Sequence, residues 1–75
     1  MRRIEAIEMF GGHVPSRSAL NVVQEAIRSG MNPTPYVNET IETAEAKGRN
    51  KIIVRPDNPL GKLKSHVMKR QAEGR

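Results

Sequence analysis

The sequence predicts a mostly α fold of the α+β kind: one small domain with about four short helices and one short strand or hairpin. Three observations predict it. Apolar residues recur at helical spacing in four separate stretches. Glycine or proline punctuates each stretch, with Gly11-Gly12, Gly30 and Gly48 as stops and Pro35 and Pro59 near starts. Only Lys51-Ile52-Ile53-Val54-Arg55 is β-branched through its middle, bounded by Asn50 and Pro56.

The elements follow in order. Residues 2–10 read as a short helix with Ile4, Ile7 and Phe10 recurring every three residues, Ala6 and Met9 beside them, and this stripe is expected to face the core. HVPS is a loop, and Ser16 or Ser18 caps a second helix at about 17–29. Its apolar face is Ala19, Leu20, Val23, Ala26 and Ile27. Asn32-Pro33-Thr34-Pro35 is a stiff bend in which Thr34 is the expected N-cap and Pro35 falls in the first turn. The third helix, about 35–47, sets Val37, Ile41 and Ala44 on one face and Glu39, Glu42 and Glu45 on another. After the strand at 51–55, Asp57-Asn58-Pro59 opens a last helix at about 59–71 with Leu60, Leu63, Val67 and Met68 as its stripe. Residues 72–75 read as a frayed basic tail of the single domain 1–75.

A lone strand cannot satisfy its own backbone groups. Either a second short strand lies in a loop such as 11–15, giving a local hairpin, or residues 51–55 pair with a second copy or with a partner's sheet edge.

Composition bounds the function. A chain of 75 residues buries only roughly 60% of its unfolded surface. With one Phe, one Tyr and no Trp, the core must come from aliphatic residues. A deep ligand-sized pocket is not expected, so no small-molecule substrate, no cofactor and no enzymatic activity are expected either. The absence of cysteine excludes disulfides, thiolate zinc sites and iron–sulfur clusters and fits a reducing compartment. No apolar run approaches membrane-spanning length, and the opening MRRIEAIEMF places two glutamates within its apolar stretch, unlike a signal peptide. The expected location is the cytoplasm, that of the host if the protein is viral.

Charge is polarised. Residues 1–46 carry four Arg or Lys against six Asp or Glu, a net of −2; residues 47–75 carry nine against two, a net of +7. Such a basic half suits phosphates or an acidic protein surface. Arg49, Lys51, Arg55, Lys62, Lys64, Lys69 and Arg70 are the candidate nucleic-acid or partner-binding residues.

Nothing in the chain points to catalysis. No Gly-x-Ser-x-Gly elbow occurs, and Gly61-Lys62 lacks the glycine-rich loop of a phosphate cradle. The glutamates at i, i+3 and i+6 read as a solvated face, since acid–base work needs one of them desolvated in a cleft. His13 and His66 stand far apart without carboxylates at ligand spacing, so no metal site is expected and both read as surface residues.

IEAIEMFGG resembles the opening helix of small phage Cro-type repressors, and SALNVVQEAIRSGM, VNETI and KIIVR follow in the order of that family's helix-turn-helix and late strand. The resemblance spans about residues 3–55. It implies a DNA-binding transcription regulator, with a late strand that in some members pairs across a dimer. The segment after Gly12 is longer than the family's. The helix that would read bases carries Glu39, Glu42 and Glu45, which together would cost several kcal/mol near phosphates, at roughly the converse of a lysine contact each. The basic half is therefore expected to meet nucleic acid, mainly through phosphates.

The expectation is a non-enzymatic phage-type transcription regulator that binds DNA or RNA phosphates, the host RNA polymerase, or both. The alternative is a protein-binding inhibitor of a host factor with no nucleic-acid contact. A structural or virion-associated basic protein is a third reading on composition alone.

Overall fold

The computed structural model describes residues 3–73, in the order α1 Arg3–Glu8, β1 Val14–Pro15, α2 Arg17–Arg28, α3 Thr34–Ala46, β2 Lys51–Ile52 and α4 Pro59–Glu73. The expected start of the first helix at residue 2 and the end of the expected tail at 74–75 lie outside the described residues. Helix α4 runs on to Glu73, past its expected end near 71.

Side chains at the helix ends explain most of these boundaries. Ser16 caps α2, its Oγ accepting from the Ala19 N–H at 3.1 Å. Gly30 ends it with φ +79°; its N–H donates to the Ile27 carbonyl and the Met31 N–H to that of Ala26. Gly48, at φ +68°, repeats the device at the end of α3: its N–H donates to Glu45 and the Arg49 N–H to Ala44. Both glycines hold a left-handed conformation that a side chain would strain. Thr34 is not the cap of α3. It is the first helical residue, and Asn32 Oδ1 accepts its N–H at 3.1 Å. With Pro33 and Pro35 on either side, two of the local donors are already missing, so one side-chain acceptor at Asn32 serves the end.

The strand finds its partner inside the chain. β1 and β2 pair in parallel, Val14 opposite Lys51 and Pro15 opposite Ile52. The sheet is therefore not a hairpin, because α2 and α3 form the crossover between its strands. The Val14 N–H donates to the Asn50 carbonyl at 2.9 Å and the Ser16 N–H to Ile52 at 2.8 Å. Pro15 lies between these donors, where its missing N–H costs nothing. The ladder stops after Ile52 and does not reach the expected residue 55. Ser16 has already turned to cap α2, and the Ile53 carbonyl accepts instead from Asn58 Nδ2 at 2.8 Å.

Helix α4 is the central element. It packs against both α2 and α3, while those two consecutive helices make little direct contact. Leu60, Leu63 and Val67 of α4 join Leu20, Val22, Val23, Ala26, Val37, Ala44 and Ile52 in one core. The radius of gyration is 11.8 Å, near the roughly 11 Å expected of a single compact domain of this length. The buried Thr40 hydroxyl donates to the Tyr36 carbonyl at 2.8 Å.

Helix α1 buries a different face from the expected one. Ala6 and Phe10 are fully buried, four residues apart, whereas Ile4 and Ile7 are 63% and 42% exposed. A spacing of three falls about 60° short of a full turn at each step, so Ile4 and Ile7 do not hold one inward line, and Phe10 reaches the core from the turn just past the helix end. His13 is not a surface residue either. Its side chain is 15% exposed, and its Nε2 lies 3.2 Å from Glu45 Oε1 on α3. The fold brings together two residues that are 32 positions apart in sequence.

Candidate functional site: a cationic groove

A groove of about 260 Å³ opens between α3, β2 and the start of α4. Lys47, Arg49, Lys51, Arg55 and Lys62 rim it, and Ala44, Ile52, Ile53 and Pro59 supply its apolar surface. Each cation has a structural reason to be there. The glycine turn at Gly48 swings the chain from α3 back into β2, bringing Lys47, Arg49 and Lys51 to one wall. Asn58 fixes the opposite wall. Its N–H donates to the Arg55 carbonyl, its Nδ2 to Ile53, and its Oδ1 accepts from the Gly61 N–H at 2.8 Å, capping α4. Gly61 lets that first turn settle directly on the backbone of residues 55–56.

Of the seven candidates read from sequence, four line this groove: Arg49, Lys51, Arg55 and Lys62. Lys69 follows Lys62 by seven residues along α4, two turns or about 10.5 Å away on the same stripe. Lys64 lines a separate cleft of about 220 Å³ between α2 and α4, with Glu25, Met68 and Gln71. In that cleft Glu25 Oε2 accepts from Gln71 Nε2 at 2.7 Å. Arg70 lies by Gly30 at the end of α2. Lys47 was missed by sequence reasoning, which assigned it to the end of a glutamate-bearing helix. The run Lys47, Arg49, Lys51, with a cation at every second residue, was the available signal.

Among the described residues the ion pairs are His13–Glu45 and Arg28–Glu25, so none of the five groove cations has a carboxylate within 4 Å. No group of three or more His, Cys, Asp or Glu among the described residues is placed to hold a metal, and no described helix is long and apolar enough to cross a membrane. In comparisons with known protein families, curated proteins and solved structures, the chain matches none.

Proposed function

We propose that the protein is a small non-enzymatic transcription regulator that binds nucleic acid through the cationic groove, with Lys69 extending the contact along α4. One observation carries this reading: five cations share a single groove and none is neutralised by an ion pair. These cations outnumber the two carboxylates of the groove, Glu39 and Asp57, by five to two, so a net positive charge is left to draw an anion. Phosphates in a row neutralise that charge and release their own counterions. A parallel substitution of Lys47, Arg49, Lys51, Arg55 and Lys62 by Ala tests it in a direct binding titration. Affinity for nucleic acid falls at least about a hundredfold if the groove makes the contact. An unchanged affinity overturns the proposal.

A second reading has its own observation. Ile4, Ile7 and Val14 are exposed at 63%, 42% and 52%. Large apolar side chains in the acidic half suit a protein partner, such as a polymerase subunit or another host factor, better than a polyanion. Capture of such a partner from lysate after nuclease treatment, lost on Ile4→Ser and Ile7→Ser, supports this reading over the first.

A further inference from the structure

The groove that would hold phosphate also holds two carboxylates, Glu39 on the α3 wall and Asp57 in the turn before α4. Five cations surround them, and neither carboxylate pairs with any of these within 4 Å. If phosphate were the whole ligand, each carboxylate would work against it.

The neutral polar groups of the groove sharpen the contradiction. Thr40 Oγ1 donates its proton to the Tyr36 carbonyl at 2.8 Å, and Thr43 Oγ1 donates to the Glu39 carbonyl at 3.0 Å. Both hydroxyls have spent their only hydrogen on the helix and can only accept from a ligand. Asn58 uses one Nδ2 hydrogen on Ile53 and accepts at Oδ1 from Gly61, which leaves it a single amide hydrogen. Beyond its cations the groove is rich in acceptors: two carboxylates and two threonine hydroxyls with no hydrogen left to give. A ligand that satisfies both carries phosphate on one part and N–H donors on another.

We propose that the groove takes a single-stranded nucleotide whose base carries an amino group where thymine and uracil carry a carbonyl, that is cytosine or adenine, in preference to thymine or uracil. The inference rests on the phosphate-binding reading above and names its ligand. Cytosine N4 and adenine N6 each present two hydrogens, and a carboxylate is the usual acceptor for the first of these. Thymine and uracil present a carbonyl at the corresponding position, which would face Glu39 or Asp57 oxygen to oxygen. The strand is single because of where the acceptors lie. They line a recess of about 260 Å³, below the usual range for a drug-sized ligand and suited to one base. A duplex keeps its bases stacked inside, so a base must leave the stack to reach such a recess. Ile52, Ile53 and Pro59 give the base an apolar surface in place of an aromatic platform. The chain's one Phe is buried in the core, and its one Tyr sits beside His66 outside the groove.

The test compares short oligo-dC and oligo-dT of equal length by fluorescence anisotropy at one salt concentration. Both are pyrimidine strands with the same phosphate charge, so their difference reports the base. The wild-type protein is expected to bind oligo-dC at least about fivefold more tightly. The paired substitution Glu39→Ala and Asp57→Ala is expected to bring that ratio to about one, while affinity for oligo-dT holds or rises as negative charge leaves the groove. Both residues are exposed, so the fold should survive. Equal binding of the two strands by the wild-type protein overturns the base preference and leaves the phosphate reading standing. A preference that persists in the paired variant also overturns it. Binding of neither strand, with a duplex of equal length still bound, overturns the single-strand proposal alone; binding of no nucleic acid at all overturns both.

Discussion

Gly61 lies directly against the backbone carbonyl of Arg55, so that a Cβ at residue 61 would stand 1.8 Å from the Arg55 oxygen and 2.7 Å from its carbon. No rotation of a side chain relieves such a contact, because both partners are backbone. The first turn of α4 is therefore seated on the wall of the groove that carries Arg55.

Gly61→Ala should push α4 off that wall. Overpacking commonly costs 1–3 kcal/mol, and a clash with backbone belongs at or above the top of that range. A chain of this size has only about 4–11 kcal/mol of total stability. The midpoint of thermal unfolding should drop by about 12 °C or more. Lys62→Ala, one residue on and exposed, should leave it nearly unchanged.

Phe10 and Ile4 should separate cleanly in a denaturant titration. Phe10→Ala empties a fully buried site and should cost about 3–5 kcal/mol, enough to leave the domain marginal or unfolded. Ile4→Ser, at a position 63% exposed, should change stability by no more than about 0.5 kcal/mol. Equal losses would mean that Ile4 is covered in solution.

Asn32 and Thr34 divide the N-terminus of α3 between them, one accepting and one donating. Asn32→Ala should cost about 1 kcal/mol, read as a fall of about 4–8 °C in melting temperature. Thr34→Ala keeps the N–H that Asn32 accepts, so it should cost much less. The reverse order would restore Thr34 as the cap.

Salt should report how many groove cations meet phosphate. For a single strand, log affinity against log salt falls with a slope of about −0.7 per phosphate neutralised, so five contacts predict about −3.5. Removing Lys51 and Arg55 together should flatten the slope to about −2.1. Lys64→Ala, in the other cleft, should leave the slope unchanged.

What the sequence made legible follows from what is local. Gly30, Gly48, Ser16 and Asn58-Pro59 act within a turn of their own position, and they mark boundaries that the structure keeps within a residue or two. The core faces of α2 and α4 were readable in the main because each runs for three turns or more and the periodicity has room to declare itself. Met68, part of the expected α4 stripe, is nevertheless 60% exposed, and buried Val22 lies outside the expected face of α2. In the six residues of α1 the periodicity has no such room, and a spacing of three read as a stripe where only Ala6, with Phe10 in the turn beyond the helix, is fully buried. The partner of β2 is two residues long and one of them is Pro15, too short for alternation to show. The site was legible as a charge balance and illegible as a place. Lys62 and Lys64 are two residues apart, yet they open on different clefts because α4 wedges between α2 and α3. His13 and Glu45 meet only because β1 pairs with β2, a contact that no local pattern encodes.

The position of α4 also governs when the fold can form. Helices α1, α2 and α3 all emerge before α4; α2 has α1 to pack on, but α2 and α3 make little direct contact with each other. Val23 and Val37, fully covered in the finished domain, share one core with Leu60, Leu63 and Val67, which arrive last. Closing the core on the side of α4 therefore needs long-range docking, and contacts distant in sequence carry an entropic cost. A nascent chain halted before residue 59 would lack the α4 side of its core, leaving apolar surface open to proteases and to association with its own kind.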